Sequence, residues 1–380
     1  MEKFDWKATI KINILKLKVV GLWPKGDETY ECNVYTLWAA VSFTCIIFAH
    51  NFFQVVNIIF HMDDLQAVTA TIYLNLSELL GMLKAYHVFQ NMGLLKKLMV
   101  TLNSDLFQPK NSRQRQLIEP NLKIWRYNYI LYWGMSGGAI FFWITFPILD
   151  NSVKDYRLPF MAWYPFDTRT SPNYEIAYMH QVIGILFVAT STLGVDTLIA
   201  ALNMYTGAQL DILCDDLRHL GLEDFKKDFL KCVRHHKEIL RFCDDSNKFF
   251  NWIVFFQFFI SATSIGITMF QMTVVVPLSS EFLSIMSFEL AIIVEIFMYC
   301  WFGNEVQEKS KKIGYALFES EWTTASLKAK KNIIFFLLRC QTPIQVSALN
   351  YFNLTLQTFM TILRASWSYF ALLHQMTIRN

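Results

Sequence analysis

Phe249–Ser280 reads FFNWIVFFQFFISATSIGITMFQMTVVVPLSS, without one Asp, Glu, Lys or Arg. A helix rises 1.5 Å per residue, so about 20 apolar residues cross the ~30 Å hydrocarbon layer of a bilayer. This stretch is long enough, and residues 32–62, 127–149, 176–195 and 340–363 are equally free of charge. Backbone amides in lipid have no water to bond to, so single segments of this kind cross as helices. The chain has 380 residues, of which 54% are hydrophobic and 17% charged, where soluble domains carry roughly a quarter charged residues. The expectation is an all-α membrane protein with seven transmembrane helices near 36–60, 65–91, 125–149, 174–205, 249–277, 282–304 and 346–373.

Basic residues in the connections set the orientation, because Lys and Arg stay on the cytoplasmic side. Segments 1–35, 92–123, 206–247 and 305–340 hold 26 of them, whereas 61–64, 150–173, 278–281 and the tail hold four. That places the N-terminus inside and, after seven crossings, the C-terminus outside. A G-protein-coupled receptor has the opposite orientation. The start is not a secretory signal, since lysines are scattered through Met1–Val20. Trp6, Ile10, Ile14 and Leu17 share one helical face there, which predicts an amphipathic segment on the inner membrane surface.

The seven cysteines have no metal-like spacing, and the outer loops hold none to form a disulfide. His235-His236 reads as a solvated helix face, and the sequons at Asn75 and Asn353 fall within apolar spans. There is no phosphate-binding glycine loop or nucleophile elbow, so no enzyme, cofactor or metal is expected, and the basic residues follow the membrane face rather than a nucleic acid. Leu210, Leu213, Leu217 and Leu220, then Phe225, Phe229, Val233 and Ile239, repeat at helical spacing in the cytoplasmic segment. Two spans therefore continue as helices beyond the bilayer. Residues 326–338 add an amphipathic helix capped by Ser326 and closed before Pro343. The domain reading is a cytoplasmic N-terminal segment 1–35, spans one to four over 36–205, a cytoplasmic helical loop 206–247, spans five and six over 248–304, anchor helices 305–345, and a last span with a short outer tail over 346–380. Glu78, Lys84, Asp196, Glu289 and Glu295 lie at membrane depth, where such groups face the bundle interior and pair, while Arg364 in the last span either lines a water-filled vestibule or snorkels to an Asp or Glu on a neighbour. Lys84 and Asp196 are expected to snorkel to the cytoplasmic edge.

Several stretches resemble the insect odorant receptor family. They are Leu17-Lys-Val-Val-Gly-Leu-Trp-Pro24, the outer loop Leu158-Pro-Phe-Met-Ala-Trp-Tyr-Pro-Phe-Asp167, Tyr299-Cys-Trp-Phe-Gly-Asn-Glu-Val306 with Ser310 and Trp322, and Phe359-Met-Thr-Ile-Leu-Arg-Ala-Ser-Trp-Ser-Tyr-Phe-Ala-Leu-Leu373. Length, topology and loop sizes agree over the whole chain. Tyr369 and Gln375 are also similar to the last-span motif of gustatory receptors, which leaves a gustatory-type chemoreceptor as an alternative, with a transporter less favoured because no internal repeat is evident. The family's shared co-receptor has a longer second cytoplasmic loop, so this chain resembles a ligand-tuned subunit.

The resemblance implies an odorant-gated, non-selective cation channel in the sensory neuron's plasma membrane. Four subunits, the co-receptor among them, surround a pore lined by the last helix. Carried onto this tail, the family's gate falls on Leu372 and Met376, with Gln375 beside them and Ser368, Ala365 and Thr361 continuing the stripe. The volatile, apolar ligand is expected in the outer halves of spans two, three, four and six. Candidates are Thr69, Ile72 and Tyr73, then Ser136, Gly137, Ile140 and Trp143, then Met179, Ile183 and Phe187, then Ile285 and Phe288.

Overall fold

The structure is a computed structural model describing residues 3–25, 30–60, 62, 65–221 and 225–379, apart from the side chains of 65–70 and 376–379. A helical turn at Trp6–Thr9, capped by Asp5, leads into α1 (Lys11–Val19). Then come α2 (Val34–Phe60), α3 (Leu65–Gln90), α4 (Met92–Leu102), α5 (Ser112–Leu149), α6 (Asn173–Arg218), α7 (Phe225–Val274), α8 (Ser280–Phe318), α9 (Leu327–Cys340) and α10 (Leu356–Arg379). Among the described residues, α2, α5, α6, α7 and α8 are long and apolar enough to cross a membrane.

Local chemistry sets several helix starts. Asn33, Asn111 and Ser279 each accept a hydrogen bond from the amide three residues on, at 2.9, 2.8 and 3.1 Å, which supplies a partner for an otherwise orphaned first-turn donor. Ser326 caps α9 in the same way at 3.4 Å, where the sequence placed a cap.

The core is organised around α6, in which every residue from Leu193 to Leu210 is buried. It packs against α1, α3, α5, α7 and α8. Both α6 and α7 run unbroken into the region read as cytoplasmic, and Leu210, Leu213, Leu217, Leu220, Phe225, Phe229 and Ile239 are all buried there. Lys309 on α8 reaches Asp211 on α6 at 2.6 Å, and Asn121 on α5 reaches the same carboxylate at 2.8 Å. This end of the bundle is therefore tied together by charge as well as by apolar packing.

Several expectations need correction here. The Trp6, Ile10 and Leu17 face turns into the protein rather than onto the bilayer: Trp6 Nε1 donates to the Phe107 carbonyl at 3.2 Å and Asn13 to the Gly194 carbonyl at 2.9 Å. Ile12, Leu15 and Val19 are exposed on its other side, so both faces of α1 are apolar and periodicity alone could not choose between them. His235 and His236 are buried, not solvated. His235 Nε2 meets Gln209 Oε1 at 3.0 Å, His236 lies against the ring of Phe336, and burial pushes both imidazoles down to about 4. The last span does not begin at 346, because a short hairpin pairing Ser347–Ala348 with Phe352–Asn353 precedes α10. Asn353 is consequently exposed in that hairpin, outside any span. The positive φ values of Leu349 and Asn350, 49° and 60°, form the turn that stops a helix there.

Lys84 and Asp196 do not snorkel, since neither side chain is exposed. Lys84 Nζ bonds Asp196 Oδ1 at 2.6 Å and Glu295 Oε1 at 3.1 Å. Tyr132 and Tyr299 donate to Asp196 at 3.0 and 2.6 Å, and Gln257 donates to Glu295 at 3.0 Å. A buried ammonium is tolerated because both carboxylates and their donors surround it. The cluster joins α3, α5, α6, α7 and α8 at one level of the bundle.

Candidate functional site

Two cavities open above this charged cluster. The inner one, of about 90 Å³, lies between α3, α5, α6, α7 and α8. Ile140 and Trp143 of α5 and Phe288 of α8 form its aromatic side, with the Trp143 and Phe288 rings 5.2 Å apart. Ile185, Val188 and Thr192 close it from α6, Leu74 and Glu78 from α3, and Tyr132, Gln257 and Glu295 of the charged network from below. The outer cavity, of about 600 Å³, lies under the loop 155–169 and also touches Tyr73 and Ile285. Leu74 and Trp143 line both spaces and so form the partition between them.

The loop is held over the bundle by side chains reaching from the helices. Gln181 on α6 bonds the Phe160 backbone twice, at 2.9 and 3.0 Å, and the Trp163 amide donates to the Phe53 carbonyl at 3.0 Å. Phe160 then packs edge-on against Trp143, with ring centroids 5.9 Å apart. An apolar chamber with a few convergent polar groups is the form a small-molecule site takes: dispersion supplies affinity and the polar atoms set orientation.

Of the candidates read from the sequence, Ser136, Ile140, Trp143 and Phe288 line the inner cavity, and Tyr73 and Ile285 the outer one. The Thr69 side chain is outside the described residues. Ile72 is half-buried and lines neither space, and Gly137 faces outward from α5. Met179 and Ile183 are exposed at 56% and 39%, and Phe187 packs on Trp38 instead. The residues of α6 that do face the cavity, Ile185, Val188, Ala189 and Thr192, occupy the side of the helix roughly opposite to Met179, Ile183 and Phe187. That helix is apolar all round, so the sequence carried no phase to choose a face. Glu78, Gln257 and Glu295 were missed as wall residues. The carboxylates at membrane depth were a usable signal, but which cavity they faced was not legible.

On α10, Thr361, Ser368, Leu372 and Gln375 are exposed and Ala365 is half-buried, while the Met376 side chain is outside the described residues. Arg364 is exposed as well. The helix rests on α7 and α8 through Ile362 and Ser366, both buried.

The sequence model of the 7tm odorant receptor family matches residues 64–367. The chain belongs to the insect odorant receptor family. Odorant receptor Or1 of Anopheles gambiae is 24% identical over 99% of this chain and 97% of its own length. Putative odorant receptor 85d of Drosophila melanogaster is 28% identical over 67% of this chain and 61% of its own. The fold matches that of the insect olfactory receptor OR5 from Machilis hrabei in complex with eugenol, at a TM-score of 0.86 and 18% identity, covering 98% of this chain and all of that one. The protein is thus a multi-pass membrane odorant receptor, and family members of this kind are receptors rather than enzymes.

Proposed function

We propose that this odorant receptor is a ligand-tuned subunit of an odorant-gated, non-selective cation channel, working in a heterotetramer with the family's co-receptor. The observation that carries the channel reading is the exposed stripe of α10. Thr361 and Ser368 return their hydroxyl protons to carbonyls of their own helix at 3.0 and 3.1 Å, but a membrane helix that presents the Arg364 guanidinium and the Gln375 amide outside its own chain leaves polar groups in lipid unless neighbouring subunits and water cover them. In this reading four copies of α10 enclose the pore, and Leu372 with Met376 close it by dewetting. The chain crosses the plasma membrane of the sensory dendrite seven times with its N-terminus inside, which the 26 basic residues of the connecting segments support. Segments 206–247 and 305–345 form the cytoplasmic anchor, and 36–205 supplies most of the ligand region. The odorant occupies the inner cavity between Ile140, Trp143 and Phe288, reached through the outer one. The eugenol held by the Machilis receptor supports a small, largely apolar ligand.

Whole-cell current under a volatile panel, from cells expressing this chain with and without an insect co-receptor, tests the reading. A rapid cation current that requires both chains is expected. Surface-expressed protein that gives no current with a working co-receptor would overturn it.

A further inference from the structure

The reading of the inner cavity as the ligand site leaves open which ligand chemistry it takes, and the polar atoms of its wall narrow the choice. The Glu78 side chain is buried, and its Oε2 accepts from Gln54 Nε2 at 2.8 Å and lies 3.4 Å from His50 Nε2. Its Oε1 is buried with no hydrogen-bond partner among the described residues. Across the cavity wall, Thr192 Oγ1 is likewise buried and unpartnered. The two groups are neighbours: a Cβ added at Gly81 would collide with Thr192 Oγ1, and Gly81 follows Glu78 by three residues on the same face of α3. The other carboxylate of the wall is satisfied, because Glu295 takes Lys84 on one oxygen and Gln257 on the other.

Among the described wall residues, the fully buried side-chain atoms left without a partner are therefore one carboxylate oxygen, which accepts, and one hydroxyl, which has a proton to give. Buried polar atoms left without partners are costly. A group that answers both must donate one hydrogen bond and accept another. A hydroxyl does so. An ether, ester or ketone only accepts, an ammonium only donates, and a hydrocarbon does neither. We propose that the cavity takes a small alcohol or phenol, with its apolar body against Trp143 and Phe288 and its hydroxyl between Glu78 and Thr192. Glu78 and Thr192 are then the residues that determine specificity for the head group.

The test is a dose–response comparison in cells expressing this chain with a co-receptor. The panel holds alcohols and phenols of graded size, each paired with its methyl ether, its amine and its parent hydrocarbon, eugenol and its methyl ether among them. The hydroxyl member should be more potent than its ether by roughly tenfold or more. Glu78→Gln adds a donor to the site, so that ratio should fall toward one as ethers gain. Thr192→Val keeps the shape and should weaken hydroxyl compounds while sparing hydrocarbons. Ala189→Leu, which fills the cavity, should weaken every ligand. A wild-type ratio near or below one overturns the proposal, and so does a panel in which only compounds lacking a hydroxyl activate; in either case a bound water or the protein alone satisfies Glu78. If Ala189→Leu still weakens every response, the ligand site stands and only the hydroxyl preference is lost. If Ala189→Leu changes nothing, or no compound gives current, the ligand-site reading fails with it. The wild-type comparison needs no variant, so misfolding of a substituted chain does not spare the proposal.

Discussion

The helices α6 and α10 are built on opposite terms. From Leu193 to Leu210 no residue of α6 is exposed, and its charged and amide groups at two levels find partners within the chain: Asp196 has Lys84, Tyr132 and Tyr299, and Gln209 has His235 and the Phe107 carbonyl. Among the described side chains of α10 the buried ones are Ile362 and Ser366, while Trp367 and Leu372 are 60% and 56% exposed. One helix is completed by its own chain; the other is left for something outside the chain to complete. A receptor that is stable as a folded chain yet moves at the pore proposed for α10 needs both kinds, since burial fixes a helix and exposure leaves it free to shift.

The largest expected effect is on the α6 side. Lys84→Leu strands Asp196 and Glu295 as buried, unpaired carboxylates, which costs about 3–5 kcal/mol. Surface expression and thermal unfolding in detergent should both fall sharply, and Asp196→Asn with Glu295→Gln should restore part of the loss. A near-neutral Lys84→Leu would show that water reaches the cluster and that α6 is not sealed.

Gly266 of α7 sits where the two regimes meet, because a Cβ there would lie 2.8 Å from Tyr369 Cβ and 3.1 Å from the Ser366 carbonyl on α10. Gly266→Val should push α10 off α7 at a cost of about 1–3 kcal/mol. Basal current should change while surface expression stays close to wild type. If expression collapses instead, α10 belongs with the core.

Acidification probes the lower part of the α6 region. His235 is buried neutral, with its imidazole pushed down to about 4. In the unfolded chain a histidine protonates near 6.5, so the unfolded state binds more protons as pH falls below that value. Stability is fully present above pH 6.5 and declines toward pH 4, by about 2 kcal/mol at pH 5. His235→Gln should flatten that slope in thermal unfolding measured against pH.

The smallest effect on stability belongs to Leu372→Ala, within about 0.5 kcal/mol because the side chain is exposed in the chain. Its effect should appear in rectification or ion selectivity of the current. A stability loss of core size would mean that α10 is completed by its own chain after all, and would erase the contrast with α6.

Much of this was legible before any coordinates. The five uncharged stretches correspond to helices or parts of helices, except that 340–363 also contains the hairpin, where Leu349 and Asn350 break the run. Apolarity alone cannot distinguish a span from an apolar turn packed on a neighbouring helix. Ser136, Ile140, Trp143 and Phe288 line the inner cavity because α5 and α8 turn these faces inward. Met179, Ile183 and Phe187 lie away from that cavity, which the sequence could not show because lipid and protein interior are equally apolar solvents for α6.

The sequence by itself determined that the chain is helical and membrane-embedded, where its basic connections lie, and to which family it belongs. Those properties depend on composition, local spacing and motifs, each contained in a single segment. Only the tertiary structure decided that Lys84, Asp196 and Glu295 form one buried cluster, that Trp6 faces inward, and that Glu78 and Thr192 share a cavity wall. Each of those facts joins residues on different helices, and the relative rotation of packed helices is set by side-chain fit across the whole bundle rather than by any one stretch of sequence.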